Sequence, residues 1–390
     1  MKPRFLPWIA LAASTLFILI ASLHVAGDTL PRGWSFALTT GEAGLAELLQ
    51  NLILFIPLGL SLALAGIPVL RAVAIGALLS LSVEFAQQWI PGRDPSLGDI
   101  ICNTTSTAIG AGLVRLAPRW LTVSPDRSGR HALGAALLAV LMWFGTAAVL
   151  KPTFGSSPYQ VVPRPDWNFW GRYRGAVTEA TLVNGLLYVK ATFPNSPPRR
   201  PCPLAAVMNA QGQPATILAI AKRDLTMRYH MPAVTITLEQ PDLRWDDILN
   251  TIAPGDTFTA STGHEGGHLC LALNTSWRCD LGYTIGDGWK LIFYPEHWAG
   301  WVLAVINALW VAGWTVGVGY WAGRTSLGGE GRRRAAKVAV AIVLLGMVIV
   351  PMTTHLKGSS LLEWVGALAG IELGLVLGSQ SWKDLIHRSA

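Results

Sequence analysis

Charge is what this sequence has least of. Asp, Glu, Lys and Arg make up 14% of its 390 residues, where a soluble domain carries about 25%, and the shortfall excludes an ordinary soluble enzyme. Intrinsic disorder goes with it: a chain that stays unfolded needs low hydrophobicity and high charge, and here 51% of residues are hydrophobic. Cysteine is sparse, four in all, too few for a disulfide scaffold. The 40 glycines follow no triplet period, which removes a collagen-like fold. No basic stripe lies on a folded domain, so nucleic acid is excluded as a partner. What is present in quantity is long apolar runs, and these define a membrane protein.

Eight stretches approach the roughly 20 residues that cross a bilayer. They are residues 5–26, 50–70, 72–90, 100–118, 131–150, 298–323, 336–356 and 360–380. A long polar region, 151–297, separates the fifth from the sixth. The expected fold class is a multi-span α-helical membrane protein of about eight transmembrane helices with an all-β sandwich as its extracytoplasmic domain. The expected organisation is a helical membrane domain at 1–120, a fifth membrane helix at 121–150, the β-sandwich at 151–297 and a C-terminal membrane region at 298–390.

The cations orient these spans. With the N-terminus in the cytoplasm, fourteen Lys and Arg fall in cytoplasmic segments, among them Lys2, Arg4, Arg115, Arg119, Arg127, Arg130, the run Arg332–Arg334, Lys383 and Arg388. The short outer loops hold three, Arg32, Arg93 and Lys357. That is the positive-inside pattern. It places both termini in the cytoplasm and 151–297 outside, in the plasma membrane of a bacterium. Trp8, Trp89, Trp120, Trp298, Trp301, Trp321 and Trp382 fall near span ends, where an amphipathic ring prefers the interface. The first span follows Lys2 and Arg4 as a signal peptide would. Its apolar core is longer than the usual 7–15 residues and no small-x-small site follows, so it reads as an uncleaved helix.

Region 151–297 opens on a Pro-rich linker and continues as short runs of strand character: Ala176–Leu182, Leu186–Phe193, Thr216–Ala221, Ala233–Leu238, Thr257–Ser261, His268–Leu273 and Trp289–Tyr294. Turns such as Asn184-Gly185 separate them, as in an antiparallel sandwich. One short helix is expected near Trp245–Thr251. Cys270 and Cys279 can close a hairpin, Cys202 can pair with either, and Cys102 in the fourth span reads as a small packing residue. His264-Glu265-Gly266-Gly267-His268 matches H-E-x-x-H, but a zinc protease needs that motif on a helix. Three glycines and strand-like flanks oppose a helix here, so a hairpin is expected and no metal. No clustered Asp/Asn set for calcium is present, and no cofactor is expected.

The strongest signal lies between residues 51 and 110. Glu84 and Gln87 stand one helical turn apart in the third span. An ionisable residue inside a span costs roughly 2.5–3.5 kcal/mol on insertion scales, so Glu84 needs a reason. The span order brings Asn51, Glu84, Gln87, Arg93, Asp99 and Asn103 to one depth beneath the outer face. Two readings stand together. One is a structural clasp in which Arg93 pairs with Glu84 or Asp99. The other is an outward-facing polar site for a headgroup or a lipid-linked saccharide. A path for ions or protons is a third. Near the C-terminus, Glu363 lies at an outer span end within reach of water, and Glu372, deeper in the eighth span, is a functional candidate by default. The glycine-rich stretches Gly313–Gly323 and Gly366–Gly378 announce close helix packing.

Asn51-Leu52-Ile53-Leu54-Phe55-Ile56-Pro57-Leu58-Gly59, then Glu84-x-x-Gln87, Arg93, Asp99 and Asn103-Thr104, resemble the VanZ-like family over about residues 1–120. Ser106 departs from the pattern, since a glycine usually follows the Asn-Thr pair; Gly110 and Gly112 still supply small residues. The family takes its name from a protein linked to low-level resistance to the glycopeptide teicoplanin, and its biochemical activity is not established. The resemblance therefore implies a cell-envelope setting and an antibiotic phenotype but no reaction. Some VanZ-like chains carry an extracytoplasmic domain similar to laminin-G or concanavalin-type lectins. Residues 166–296 resemble one through Trp167-Asn168-Phe169, the run Leu218–Tyr229 and the late strand Leu269–Leu273.

Two functions of different class follow. In the first, the protein is not an enzyme: the outer domain binds an envelope glycan, with Trp167, Trp170, Tyr173 and Trp245 as sugar-stacking candidates against a competing role in packing, and the membrane half binds lipid or a lipid-linked saccharide. In the second, it is a membrane enzyme on an outer-leaflet lipid or lipid-linked cell-wall precursor. Glu84 would be its acid or base and Arg93 would hold a phosphate. The lack of a nucleophile elbow or metal motif leans against the enzyme. A transporter is weaker still, since no inverted repeat is evident.

Overall fold

The computed structural model describes residues 5–25, 33–36, 43–121, 123–167, 170–198, 200–265, 268–295, 298–325 and 330–379. Lys2, Arg4, Arg32, Asn168, Phe169, Gly266, Gly267, Trp382, Lys383 and Arg388 lie outside the described residues, as do the side chains of His264, Glu265, His268, Arg332 and Arg333. Eight long helices are present among them: α1 (Leu6–Leu23), α2 (Gly44–Leu64), α3 (Val69–Gln87), α4 (Leu97–Leu121), α5 (Pro125–Val149), α6 (Gly300–Thr325), α7 (Glu330–Thr353) and α8 (Leu361–Ser379). Seven are long and apolar enough to cross a membrane. The exception is α4, which carries Asp99 in its first turn and the run Asn103–Thr107. About eight spans were expected; the described helices supply seven, and the polar side chains of α4 account for the difference.

The chain folds as two compact units, one holding α1–α4 and the other α5–α8 with everything between. In the first unit, Ile18, Phe55, Leu58, Leu62, Ala72, Val83 and Ala111 form the apolar core. There α2 and α4 approach until Gly59 and Gly110 lie against each other's backbone. A Cβ on Gly59 would sit 2.2 Å from the Thr107 carbonyl oxygen, and one on Gly110 would sit 2.3 Å from that of Ile56. Gly112, by contrast, faces open space. Ser106 is fully buried, and its hydroxyl donates back to the Cys102 carbonyl at 2.8 Å.

In the second unit ten strands form two antiparallel five-stranded sheets. They are β1 (Gln160–Pro163), β2 (Val177–Val183), β3 (Leu186–Thr192), β4 (Cys202–Met208), β5 (Pro214–Ala221), β6 (Asp224–Tyr229), β7 (Leu243–Trp245), β8 (Thr257–Glu265), β9 (His268–Leu273) and β10 (Ser276–Leu281). The sheet orders are β1-β4-β5-β6-β7 and β10-β9-β8-β3-β2. Asn184 and Gly185, both at positive φ, make the tight β2–β3 turn that their sequence promises. Alternation puts Leu187, Val189 and Ala191 of β3 in the same core as Leu218 and Ile220 of β5, so both sheets share one interior. Strands β4 and β5 are buried on nearly every residue. Their second face, Ala206, Ile217 and Ala219, lies under Trp167 and Trp170.

Two expected strands are turns instead. At Ala233–Leu238 a 3-10 turn, Pro232–Ile236, opens on a proline and closes on left-handed Thr237. At Trp289–Tyr294 the chain forms a 3-10 helix, Ile285–Leu291, started by a capping box between Thr284 and Asp287. The helix expected near Trp245–Thr251 is a single 3-10 turn at Ile248–Thr251. His264 and His268 lie on β8 and β9 of one hairpin, with Glu265 paired to His268 in the ladder. The motif is therefore on strands, without the helical face a zinc protease requires. Cys270 and Cys279 are joined as a disulfide across β9 and β10, while Cys102 and Cys202 are free and buried. Burial pushes the Cys202 thiol up to about 11, so it stays protonated and packs as a small apolar group.

The sheets are fastened to the helices. The Tyr229 hydroxyl donates to the Leu150 carbonyl at the end of α5 at 3.0 Å, and the Thr153 amide donates to the His230 carbonyl at 2.8 Å. Helices α6 and α8 pack backbone to backbone. A Cβ on Gly319 would sit 2.0 Å from the Ile371 carbonyl oxygen, and one on Gly374 would sit 2.3 Å from that of Val316. This is the close packing that the glycine-rich stretches announce.

A candidate polar site at one end of the first helical unit

The end of α1, the first third of α2, the end of α3 and the start of α4 meet at one end of the first unit. Each of the six polar residues singled out above takes part. Asn51 donates to Asp99 Oδ1 at 2.7 Å, joining α2 to α4. Glu84, 2% exposed, accepts the Ser96 amide on Oε2 at 2.8 Å, just before α4 begins. Gln87 donates to the Ser22 carbonyl at 3.0 Å. Asn103, 3% exposed, donates to Ser80 Oγ at 3.0 Å.

Arg93 does something else than the clasp reading asks. Its guanidinium donates to the carbonyls of Ala21 at 2.8 Å and His24 at 3.2 Å, and touches the His24 ring nitrogen Nδ1 at 2.8 Å. It thus caps the C-terminus of α1, where carbonyls lack intrahelical partners and a cation is favoured. Both carboxylates are near enough to act on it. Burial lowers the Arg93 pKa, and Glu84 and then Asp99 oppose the fall.

The hydrogen-bond inventory is lopsided. The Asn103 Oδ1 atom is buried without a partner. Among the described residues Glu84 Oε1 and Asp99 Oδ2 also accept no hydrogen bond, since Glu84 is served by Ser96 on one oxygen and Asp99 by Asn51 on one oxygen. A buried acceptor without a donor costs about 1–3 kcal/mol, a cost that falls on Asn103 Oδ1 alone; with Glu84 Oε1 and Asp99 Oδ2 in the same cluster, acceptors still outnumber donors.

Sequence reasoning missed Ser80, Ser96, Ser22 and His24. Ser80 was within reach: Gly76, Ser80, Glu84 and Gln87 recur at helical spacing on α3, and all four are buried. His24 and Ser22 carried no signal, because only the fold brings the end of α1 to Arg93 and Gln87.

Residues 8–118 match the VanZ/LLP1 family model. The VanZ-like domain therefore covers α1 to nearly the end of α4 and contains every residue of the polar cluster. No curated protein matches the chain, and no solved structure matches it.

A second polar cluster, in the other unit, was not anticipated as such. Glu363 is fully buried at the first turn of α8. It accepts from the Thr284 hydroxyl on Oε1 and from the Ser360 amide on Oε2 at 2.7 Å. It is the enclosed acid of the C-terminal helices, whereas Glu372 lies on an exposed face of α8; one helical face separates them, and the sequence does not say which face packs. Beside Glu363, Asp287 takes Lys290 at 2.6 Å and the Asn307 amide at 2.9 Å. Burial alone would raise the Asp287 pKa, but Lys290, the Thr284 amide and Asn307 together hold it below the usual carboxylate value.

The four sugar-stacking candidates are engaged in packing. Tyr173 is buried with its hydroxyl on the Thr192 carbonyl at 2.7 Å. Trp170 lies under the Arg228 guanidinium, 4.5 Å from its ring centre, and edge-on to Trp167. Trp245 packs against the shared core. Among the described residues no group of His, Cys, Asp and Glu is arranged to hold a metal.

Proposed function

We propose that the VanZ-like domain binds the hydroxyl-rich head of a lipid-linked saccharide at the Glu84–Asp99–Asn103 cluster, in the envelope membrane of a bacterium, on the outer side that the positive-inside pattern assigns to it. One observation supports this reading above the rest: among the described residues Asn103 Oδ1 is buried without a donor, and Glu84 Oε1 and Asp99 Oδ2 accept no hydrogen bond. Sugar hydroxyls supply donors in that number. A phosphate does not, because it needs donors itself, and Arg93 already spends its guanidinium on the end of α1. The enzyme reading loses Arg93 as a phosphate clamp for the same reason. A role beside glycopeptide resistance fits a site that takes cell-wall precursors, and envelope glycan binding by the β region is carried by no exposed aromatic among its four candidates.

The test is binding of a fluorescent polyprenyl-linked disaccharide to the full chain in nanodiscs. Glu84→Ala and Asp99→Ala should each weaken binding on the order of tenfold, which equals about 1.4 kcal/mol. Asp99→Ala should melt close to the parent, and Glu84→Ala should lose no more than the cost of the Ser96 amide it strands, about 1–3 kcal/mol. If binding is unchanged while melting falls sharply, the cluster is a structural clasp and the reading is wrong.

A further inference from the structure

Where the β region meets the start of α6 and the α7–α8 connection, a cavity of about 170 Å³ opens. Its wall includes Asp246, Arg244, Arg278, Asp280, Lys290 and Lys357. The charges are unevenly matched. Arg278 and Lys357 share one carboxylate, Asp280, at 2.7 and 3.7 Å, which leaves one positive charge over. Arg244 faces Asp224 at 3.7 Å. Asp246 forms no hydrogen bond or ion pair among the described residues, which leaves one negative charge over. Burial, then Asp224 and Asp247, push the Asp246 pKa up, while Arg244 and Arg278 act on it from a distance and oppose the rise. Its Oδ2 faces the start of α6, where a Cβ on Gly300 would come within 3.2 Å of it. Lys290 and Asp287 cancel each other. The cavity is thus neutral overall and dipolar within.

A second opening lies next to it. Between the end of α7 and the start of α8, Met347, Val348, Met352, Leu356 and Trp364 line an apolar groove. The two openings share one segment: Lys357 lines the charged cavity, and its neighbours Leu356 and Gly358 line the groove. The Lys357 amide donates to the Tyr283 carbonyl at 2.7 Å, and its ammonium donates to the Asp280 carbonyl, so the segment is fixed to the β region. The two openings are separated by the width of one backbone. Trp298 and Trp301 are exposed at the start of α6, as rings at a membrane interface are.

We propose that this pair of openings is a binding site for a zwitterionic aminophospholipid, its phosphate beside Lys357 and Arg278, its primary amine on Asp246 and one acyl chain in the α7–α8 groove. The order of groups matches the lipid. Phosphate lies between the acyl chains and the amine, as the Lys357 segment lies between the groove and the rest of the cavity. The site belongs to the second unit and stands independently of the saccharide reading of the first.

Native mass spectrometry of the full chain, released from nanodiscs of equimolar phosphatidylethanolamine and phosphatidylglycerol, reads the retained lipid. The parent protein should retain phosphatidylethanolamine over phosphatidylglycerol up to about fivefold, because phosphatidylglycerol lacks the amine that pairs with Asp246, a pair worth up to about 1 kcal/mol. Asp246→Asn should abolish that preference and Asp246→Glu should restore part of it. Lys357→Ala should lower retention of both lipids. Val348→Trp, which fills the groove, should displace the diacyl lipid but leave binding of soluble glycerophosphoethanolamine intact, read by calorimetry. Equal retention of both lipids by the parent, or an unchanged preference in a folded Asp246→Asn variant, overturns the proposal. Strong binding of phosphatidylethanolamine that ignores Val348→Trp overturns its acyl half.

Discussion

Glu84 and Glu363 are both enclosed carboxylates at a helix end, and both accept a backbone amide just before a helix begins, Ser96 before α4 and Ser360 before α8. They differ in what happens to the second oxygen. In Glu363 it is taken by the Thr284 hydroxyl, so the acid is saturated. In Glu84 it accepts nothing among the described residues, and the buried Asn103 carbonyl oxygen has no partner either. A saturated buried acid joins parts of a fold; one left half-satisfied keeps a place for something else. The contrast continues in the packing around them. Around Glu363, α8 lies on α6 through glycines, among them Gly319, Gly366 and Gly374. In the unit that holds Glu84, backbone meets backbone at one reciprocal pair, Gly59 and Gly110, while Gly76 of α3 takes the Thr107 side chain of α4, and serine, threonine and amide side chains line the facing helices.

That comparison can be broken in three places. The largest effect is expected at Gly319→Val. Its side chain has backbone on the far side rather than a movable side chain, so the cost lies at or above the upper end of the roughly 1–3 kcal/mol typical of overpacking. Yield of monodisperse protein after detergent extraction should collapse, and Gly112→Val, which meets open space, should serve as the silent control. The next effect separates the two acids. Glu363→Ala strands the Ser360 amide, at about 1–3 kcal/mol for a buried group left unsatisfied, and also takes the Thr284 hydroxyl's bond to α8, leaving that hydroxyl with Asp287 alone. Glu84→Ala also strands one amide, that of Ser96, but removes an oxygen that accepts nothing among the described residues, so its melting temperature should fall by less. Equal losses would show that the two acids do the same job.

The smallest effect is a matter of pH. The folded-state pKa of Asp287 is depressed, so its contribution to stability is present above the unfolded carboxylate value of about 3.9 and is lost as pH falls through the lower folded value. Melting temperature should be insensitive to this group from neutral pH down to about pH 4 and should drop below it. The Asp287→Asn variant should start lower and show a shallower acid limb. A parent whose melting already falls between pH 7 and 5 through this residue would mean that Lys290 does not hold it ionised.

How much of this was legible in the sequence follows from the range of each contact. The polar cluster of the first unit was readable because its members recur within about fifty residues on neighbouring helices. Span order alone brings Asn51, Glu84 and Asn103 to one depth. What the order could not supply was the direction of Arg93, since the carbonyls it caps belong to α1. Hairpins with local turn chemistry, such as Asn184-Gly185, were readable too. The runs at 233–238 and 289–294 look like strands by composition and fold as 3-10 turns, because Pro232 and the Thr284–Asp287 capping box act before the apolar residues do. Glu363 was misjudged relative to Glu372 because its donor, Thr284, lies 79 residues away in a different kind of structure. Hydropathy sees both acids alike.

The β region enters after α5 and leaves into α6, two helices that pack against one another in the same unit. In chain order it is an insert between them. The cut cannot follow the polar boundary of the sequence, however. Removing 151–297 as a block would take Thr284 and Asp287 away from Glu363 and Asn307 and leave the Glu363 carboxylate with the α8 first-turn donors alone. A surgeon of this protein would have to leave residues 284–291 behind, so the seam between membrane and non-membrane parts runs inside the insert rather than at its edge.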